Sequence, residues 1–189
     1  VPSYDVSLPL LYNSTSKASR ADWLVQSSFG MFAHWDGIHF MDIAASGYQV
    51  EKEHAFFPLL PMLVAASSQA LQRLVPLHPT SLRLLMGVFF TNFCFVAAAC
   101  IFFKLSAKLL NNHKWATVSA LMFCFNPASI FCSSIYTESP FALCTFLGGY
   151  FLATQRRFLA AAAFAISCGF RGNGIIHIGF FLFFFVRGT

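Results

Sequence analysis

Hydrophobic and polar residues divide the chain into a polar first part and a largely apolar remainder, with the change at about residue 56. Residues 1–55 contain six of the seven acidic side chains. After a first apolar run over 56–76, further apolar runs separated by short polar stretches cover 84–107, 115–135, 140–154, 158–170 and 174–186. These runs are rich in Leu, Ala and Phe and do not alternate with period two, so they predict helices and not the strands of a barrel.

The lengths of the apolar runs predict several membrane spans. A transmembrane helix needs about 20 apolar residues to cross ~30 Å of hydrocarbon, and the runs 84–107 and 115–135 meet this length. The later runs are shorter, and 158–186 is either two short spans or one span interrupted at residues 171–174. We therefore predict an all-α polytopic membrane protein with about five transmembrane segments within 84–189.

Composition agrees with a membrane protein. The 189 residues are 57% hydrophobic and 17% aromatic, with 25 Phe and a mean hydropathy of +0.65. Only 10% are charged, against about 25% in soluble domains. The net charge of +5 is spread between the apolar runs, and this argues against a nucleic-acid partner, which requires a basic patch. The six Cys lie in apolar segments without metal-binding spacing, so we expect no disulfide and no metal site.

The basic residues predict the orientation in the membrane. They cluster after three of the apolar runs, at Lys104, Lys108 and Lys114, at Arg156 and Arg157, and at Arg187. The positive-inside rule places these clusters in the cytosol. Residues 1–83, the turn at 136–139 and the break at 171–174 then face the lumen of the endoplasmic reticulum. Asn13, which opens an N-glycosylation sequon, is consistent with a luminal first segment.

This orientation requires that the run 56–76 does not cross the membrane. Two prolines at its start, with Gln69, Gln72 and Arg73 towards its end, favour a helix that lies at the interface or re-enters. A crossing helix would invert every later side. We therefore predict a luminal loop over 1–55, a juxtamembrane or re-entrant region over 56–83 and transmembrane segments over 84–189. The chain opens without Met or a signal-peptide pattern and stops just past an apolar run, so we expect truncation at both ends.

Three polar groups are candidates for chemistry, because a charged side chain at mid-membrane costs ~2.5–3.5 kcal/mol on insertion scales. The first contains Trp35, Asp36 and His39. On a helix Trp35 and His39 share a face at i, i+4, and Asp36 neighbours His39 at i, i+3. A carboxylate flanked by aromatic rings at the membrane surface suits a lipid-linked substrate. The alternative is an interfacial amphipathic helix anchored by Trp.

The other two groups interrupt the apolar runs. Glu138 follows Tyr136 in a short polar turn, where it either orients a substrate or marks the start of a helix with Pro140 in the first turn. Arg171 and Asn173 alternate with two glycines. Arg171 either pairs with a phosphate, whose geometry suits the guanidinium fork, or extends its charge to the membrane surface.

The order of these motifs resembles one family. The segment HWDGIHFMDIAASGYQVEKEHAFFPLLP (residues 34–61) is similar to the first luminal loop of the PIG-V family of GPI mannosyltransferases, with its Trp-Asp, His-Phe, Ile-Ala, Gly-Tyr and Ala-Phe-Phe-Pro in order. Three later groups also resemble family landmarks: Asn126-Pro127-Ala128, Tyr136-x-Glu138 and Arg171-x-Asn173-Gly174. The resemblance covers about residues 34–180 and lacks the family's first transmembrane helix and its C-terminal half.

The resemblance implies a GT-C transmembrane bundle with a luminal first loop and juxtamembrane helices in the endoplasmic reticulum membrane. It implies transfer of the second, α1,6-linked mannose from dolichyl-phosphate mannose to the GPI precursor glycolipid, by inverting displacement and without an implied cofactor or metal. Asp36 is then the catalytic base, with Trp35, His39, Glu138, Arg171 and Asn173 as substrate-binding candidates. A further membrane subunit is a possible partner.

Other functions remain open at this point. Another GT-C transferase would act on a different acceptor. A transporter of lipid-linked sugars predicts charges at the membrane midplane and an internal repeat, whereas the charges here lie at segment ends. A non-catalytic membrane subunit predicts that the loss of Asp36 leaves activity intact.

Overall fold

The computed structural model describes residues 19–187. Within that range all regular structure is helical. The α-helices are α1 (Arg20–Phe29), α2 (Asp36–Ser46), α3 (Leu59–Gln72), α4 (Pro79–Leu110), α5 (His113–Cys124), α6 (Ser129–Ser133), α7 (Glu138–Ala153), α8 (Arg157–Phe170) and α9 (Ile178–Arg187). Three 3₁₀ helices connect them, at Gly30–Ala33, Glu51–Ala55 and Gly172–His177. The all-α class is confirmed for the described residues. Asn13, the predicted glycosylation site, lies outside them.

The long helix α4 is the central element, and α1, α2, α3, α5, α6 and α7 all contact it. Its first turn contains Pro79, and the His78 side chain accepts a hydrogen bond from the Thr80 N–H at 3.3 Å. It ends at Asn111 in the left-handed region. Among the described residues, α4 is the one helix long and apolar enough to cross a membrane. Its 32 residues extend about 48 Å and include the predicted run 84–107.

The later apolar runs are divided differently from the prediction. The run 115–135 is occupied by α5 and the short α6, with a break around Asn126 and Pro127. Proline has no N–H and cannot continue a helix ladder, and the Asn126 side chain accepts a hydrogen bond from the Ala128 N–H at 2.8 Å. The break at 171–174 opens the 3₁₀ helix that precedes α9.

The polar first part is also largely helical where it is described. α2 and α3 pack against α4 around a core that includes Met41, Leu60, Val64, Leu84 and Ile135. The helix α3 occupies most of the run 56–76, and its 14 residues span about 21 Å, less than the ~30 Å of a hydrocarbon core. The non-crossing character of this run and the domain limits stay predictions.

Candidate functional site

Asp36 is the first residue of α2 and stands at a sharp change of chain direction. The preceding residue, Trp35, has φ 50° and ψ −116°, a conformation that is uncommon for a residue other than Gly. This segment is held to the chain before α7 by two hydrogen bonds. The Ile135 N–H donates to the Phe32 carbonyl at 2.9 Å, and the Tyr136 hydroxyl donates to the His34 carbonyl at 3.2 Å. The position of Asp36 is therefore fixed by contacts between residues about a hundred positions apart.

A cavity of 430 Å³ brings Asp36 together with Glu138, Arg171 and Asn173. Four of the six predicted catalytic and substrate-binding residues thus line one space, although they come from three separate stretches of the chain. Tyr136, Phe170 and the aromatic residues after the Glu51–Ala55 helix complete much of the wall. The volume lies within the range of about 300–1,000 Å³ found for small-molecule sites.

Glu138 and Arg171 form an ion pair at this cavity through Oε1 and Nη1. Glu138 is the first residue of α7, and Pro140 lies in the first turn, so the predicted helix start is present together with a carboxylate at the cavity. Both side chains are partly exposed, and solvent therefore screens their attraction. The pair contributes more to the orientation of Arg171 than to stability.

Asp36 differs from Glu138 in having no ion-pair or hydrogen-bond partner for its side chain within the described residues. Its side chain is exposed at the cavity, and among residues 19–187 no side chain or backbone N–H donates a hydrogen bond or pairs with it. A carboxylate in this state keeps its acceptor positions for a substrate. Of the two acidic groups at the cavity, Glu138 has an ion-pair partner among the described residues and Asp36 does not.

The two candidate residues that flank Asp36 occupy different surroundings. Trp35 precedes α2 and its side chain is 65% exposed, so the prediction that it shares a helical face with His39 is wrong. The reason is the positive φ at Trp35, which places this residue outside the helix. The His39 ring packs on Phe56 with centroids 4.9 Å apart, and Phe56 lines the cavity. A direct contact between His39 and substrate stays a prediction.

A second cavity, of 470 Å³, lies beside the first and is lined by Trp35, Asp36, Phe131, Tyr136 and Glu138. Asp36, Tyr136 and Glu138 belong to the walls of both cavities. Phe131 comes from the short helix α6, which was predicted to be part of a continuous span. No local pattern distinguishes Phe131 from the other apolar residues of the run 115–135.

The turn that carries Arg171 and Asn173 is fixed by His177. The imidazole of His177 is buried and stacks on the Phe164 ring at 4.4 Å. Its Nδ1 lies 3.2 Å from Ser167 Oγ, and its Nε2 lies 3.4 Å from Thr145 Oγ1. His177 thereby ties the 3₁₀ helix Gly172–His177 to α7 and α8. The sequence signal for this role is that His177 is a polar residue inside the apolar run 174–186.

Two acidic residues of the polar part serve the fold. Asp22 is 3% exposed and accepts hydrogen bonds from Ser19 and from the His78 N–H at 2.9 Å. Burial raises the pKa of Asp22, but the hydrogen bonds from Ser81, His78 and Ser19 outweigh it and lower the pKa to about 2. Glu53 is also buried, and hydrogen bonds from the Gln49 and Val50 N–H groups lower its pKa.

Metal-ligating residues are dispersed. Across residues 19–187 no group of three or more His, Cys, Asp or Glu side chains lies close enough together to hold a metal ion. The described cavities thus offer carboxylates, a guanidinium and aromatic rings as their chemical groups.

Comparison with known proteins identifies the family. A model of the mannosyltransferase (PIG-V) family matches residues 3–189. GPI mannosyltransferase 2 of Drosophila pseudoobscura pseudoobscura is 38% identical over 175 residues, covering 88% of this chain and 38% of the relative. GPI alpha-1,6-mannosyltransferase 2 of Mus musculus is 35% identical over 172 residues, covering 90% and 35%. The Homo sapiens protein of the same name is 35% identical over 162 residues, covering 85% and 33%.

The chain therefore spans about a third of the length of these relatives. No solved structure matches the chain. The family match covers nearly all residues, and it includes both cavities and every candidate residue that lines them. The chain belongs to the PIG-V mannosyltransferase family.

Proposed function

We propose that the full-length protein transfers mannose from dolichyl-phosphate mannose to the GPI precursor glycolipid and forms an α1,6 linkage. The printed names of the relatives, GPI alpha-1,6-mannosyltransferase 2 among them, support the product. The observation that carries the proposal is the cavity that joins the guanidinium of Arg171 with the carboxylate of Asp36, which has no partner among residues 19–187. These are the two charges that such a transfer needs, one for a proton and one for a phosphate.

The reaction is a single displacement. The acceptor hydroxyl oxygen attacks C1 of mannose, the bond from C1 to the phosphate oxygen breaks, and dolichyl phosphate leaves with the electron pair. Because the donor is β-linked and the product is α-linked, one inversion suffices. Asp36 takes the proton of the acceptor hydroxyl as positive charge develops at C1, as the general base does in inverting glycosidases. The phosphate leaves as an anion and needs no protein acid.

Arg171 binds the donor phosphate in this proposal. A guanidinium carries five N–H donors in a planar fork, and the ion pair with Glu138 uses Nη1. Donors therefore remain for phosphate oxygens while Glu138 holds the fork in place. Asn173, two residues on and at the same cavity, supplies an amide for the phosphate or the mannose hydroxyls.

The same proposal places the protein in the endoplasmic reticulum membrane as a polytopic, GT-C-like bundle with the cavities on the luminal side. The length and apolar character of α4 support it. Large apolar side chains that are exposed on α4 and α5 support it as well, because lipid or further helices would cover them. They include Phe89, Phe93, Val96, Trp115 and Met122. A further membrane subunit would find room on these same faces.

Complementation tests the proposed function. Cells that lack the second GPI mannosylation step receive the full-length protein as wild type, Asp36→Asn or Asp42→Asn, and the mannosylated glycolipid intermediates are separated and measured. Asp42 is the matched control because it is exposed on the same helix and lines neither cavity. We expect rescue by wild type and Asp42→Asn and an accumulated singly mannosylated intermediate with Asp36→Asn. Full rescue by Asp36→Asn would instead favour a non-catalytic subunit.

A further inference from the structure

The two adjoining cavities share Asp36, Tyr136 and Glu138 and differ in their other lining residues. We infer that the cavity lined by Trp35, Phe131 and Tyr136 binds the acceptor saccharide, while the cavity lined by Arg171 and Asn173 binds the donor. The inference rests on the proposed function and adds a site for the acceptor and a role for Phe131.

The walls of the cavities differ in charge. Arg171 belongs to the first cavity, whereas none of the described residues that line the second is basic. A phosphate anion is stabilised by a guanidinium, and it is disfavoured beside Asp36 and Glu138 without a cation. The phosphate therefore belongs in the first cavity, and the second is left for a ligand without a nearby anionic group, such as a sugar.

The second cavity has the chemical character of a carbohydrate site. Three of its five lining residues are aromatic and the other two are carboxylates. The C–H face of a hexose packs on an aromatic ring, and its hydroxyls donate to carboxylate oxygens in charge-assisted hydrogen bonds. The Phe131 and Tyr136 rings lie 5.7 Å apart, so they form one continuous aromatic surface beside the two acidic groups.

The shared wall suits an inverting displacement. The nucleophile must approach C1 from the side opposite the leaving phosphate, so acceptor and donor must enter from two sides of the reacting carbon. Asp36 lines both cavities and can take a proton from a hydroxyl that reaches across from the acceptor side. Glu138 also lines both, and it contacts Arg171 on the donor side.

The backbone of Trp35 supplies an independent observation. Residues with unfavourable φ and ψ persist where the surrounding structure enforces them, and they cluster at ligand sites. Trp35 adopts φ 50° although the residue is 65% exposed, so the hydrogen bonds to Phe32 and His34, and not burial of the indole, maintain this conformation. The conformation instead presents an uncovered indole at the second cavity, where a sugar ring can stack on it.

Kinetics of the full-length protein in microsomes tests the division of substrates. Transfer is measured while dolichyl-phosphate mannose and the mannosyl-glucosaminyl-phosphatidylinositol acceptor are varied separately. Trp35→Gly relieves the positive φ and removes the ring, so its loss of function cannot come from added backbone strain. Trp35→Phe keeps a ring, and Phe131→Ala removes the second stacking surface. Trp23→Ala is the control, because Trp23 is equally exposed on α1 and lines neither cavity.

We expect Trp35→Gly and Phe131→Ala to raise KM for the acceptor by about 2- to 10-fold, the range that aromatic stacking supports, with KM for the donor unchanged. Trp35→Phe should recover most of the acceptor affinity, and Asn173→Ala should raise KM for the donor instead. A donor effect of the Trp35 and Phe131 variants, or kinetics equal to wild type, would overturn the inference and leave the proposed function standing. No transfer by the wild type would refute both.

Discussion

Asp22 and Asp36 both lie in the first turn of a helix of the polar part, yet their surroundings are opposite. Asp22 is buried and accepts hydrogen bonds from Ser19 and His78, which join the start of α1 to the start of α4. Asp36 is exposed at two cavities and has no partner among residues 19–187. A carboxylate whose acceptor positions are all used by the protein thus stabilises the fold, whereas one whose positions stay open is suited to a substrate.

The largest expected effect is the loss of transfer when Asp36 changes. Asp36→Asn removes the proposed base without changing the size of the side chain, and general-base catalysis contributes about 10²- to 10⁴-fold. We expect kcat to fall by this factor, with Asp36→Glu intermediate because the carboxylate remains but is displaced. The measurement is initial transfer rate in microsomes, normalised to the amount of folded protein. A loss of less than 10-fold in Asp36→Asn would place the base elsewhere.

The second largest effect is expected at Arg171, the basic residue of the first cavity. Arg171→Glu reverses the charge beside Glu138, and we expect kcat/KM for the donor to fall by about 10- to 100-fold, as for a lost charged hydrogen bond. The double variant Arg171→Glu with Glu138→Arg restores an ion pair in which the two charges have exchanged positions. If Arg171 binds phosphate, donor use stays low in the double variant. Recovery to the wild-type rate would mean that the ion pair matters only for folding.

Asp22 should affect stability and leave chemistry unchanged. In Asp22→Asn a buried amide NH₂ replaces an acceptor that faces several donors, and an unsatisfied buried group costs about 1–3 kcal/mol. We expect a lower midpoint of thermal unfolding in detergent and an unchanged rate per folded molecule. Asp42→Asn, on an exposed position of α2, is the control for the loss of one negative charge.

The smallest expected effect is a change with pH in the contribution of the Asp22 carboxylate to stability. The pKa of Asp22 is about 2 in the folded protein, below the value of ~3.9 in an unfolded chain. Because the folded pKa is depressed, the stabilisation is complete above about pH 4 and is lost as the pH falls towards 2. Unfolding midpoints of wild type and Asp22→Asn should therefore converge over this interval. Parallel curves would show that Asp22 does not titrate as described.

Long local patterns could be predicted from the sequence, and contacts between distant segments could not. The apolar run 84–107 lies within α4, and Pro140 correctly indicated the start of α7. The run 115–135 is broken because Asn126 and Pro127 favour a turn, a signal that its apolar composition obscured.

The residues of the candidate site likewise divide into those with a local sequence signal and those whose position depends on distant contacts. Asp36, Glu138 and Arg171 stood out because charges are costly in or beside apolar segments. Phe131 carried no such signal, because its place beside Tyr136 depends on tertiary contacts. A lone His without metal-ligand spacing, such as His177, predicts an interface or packing residue, but its hydrogen-bond partners on α7 and α8 could not be predicted. The conformation of Trp35 likewise depends on hydrogen bonds from residues 135 and 136, which no local pattern reveals.

In the proposed function the exposed Asp36 carboxylate takes a proton from the acceptor, whereas the buried Asp22 carboxylate stabilises the fold. The most direct test measures mannose transfer and the amount of folded full-length protein in the same microsomes for Asp22→Asn and Asp36→Asn. We expect less folded protein with a normal rate per molecule for Asp22→Asn, and normal folding with transfer reduced by about 10²-fold or more for Asp36→Asn. Normal transfer per folded molecule in Asp36→Asn would contradict the role proposed for Asp36.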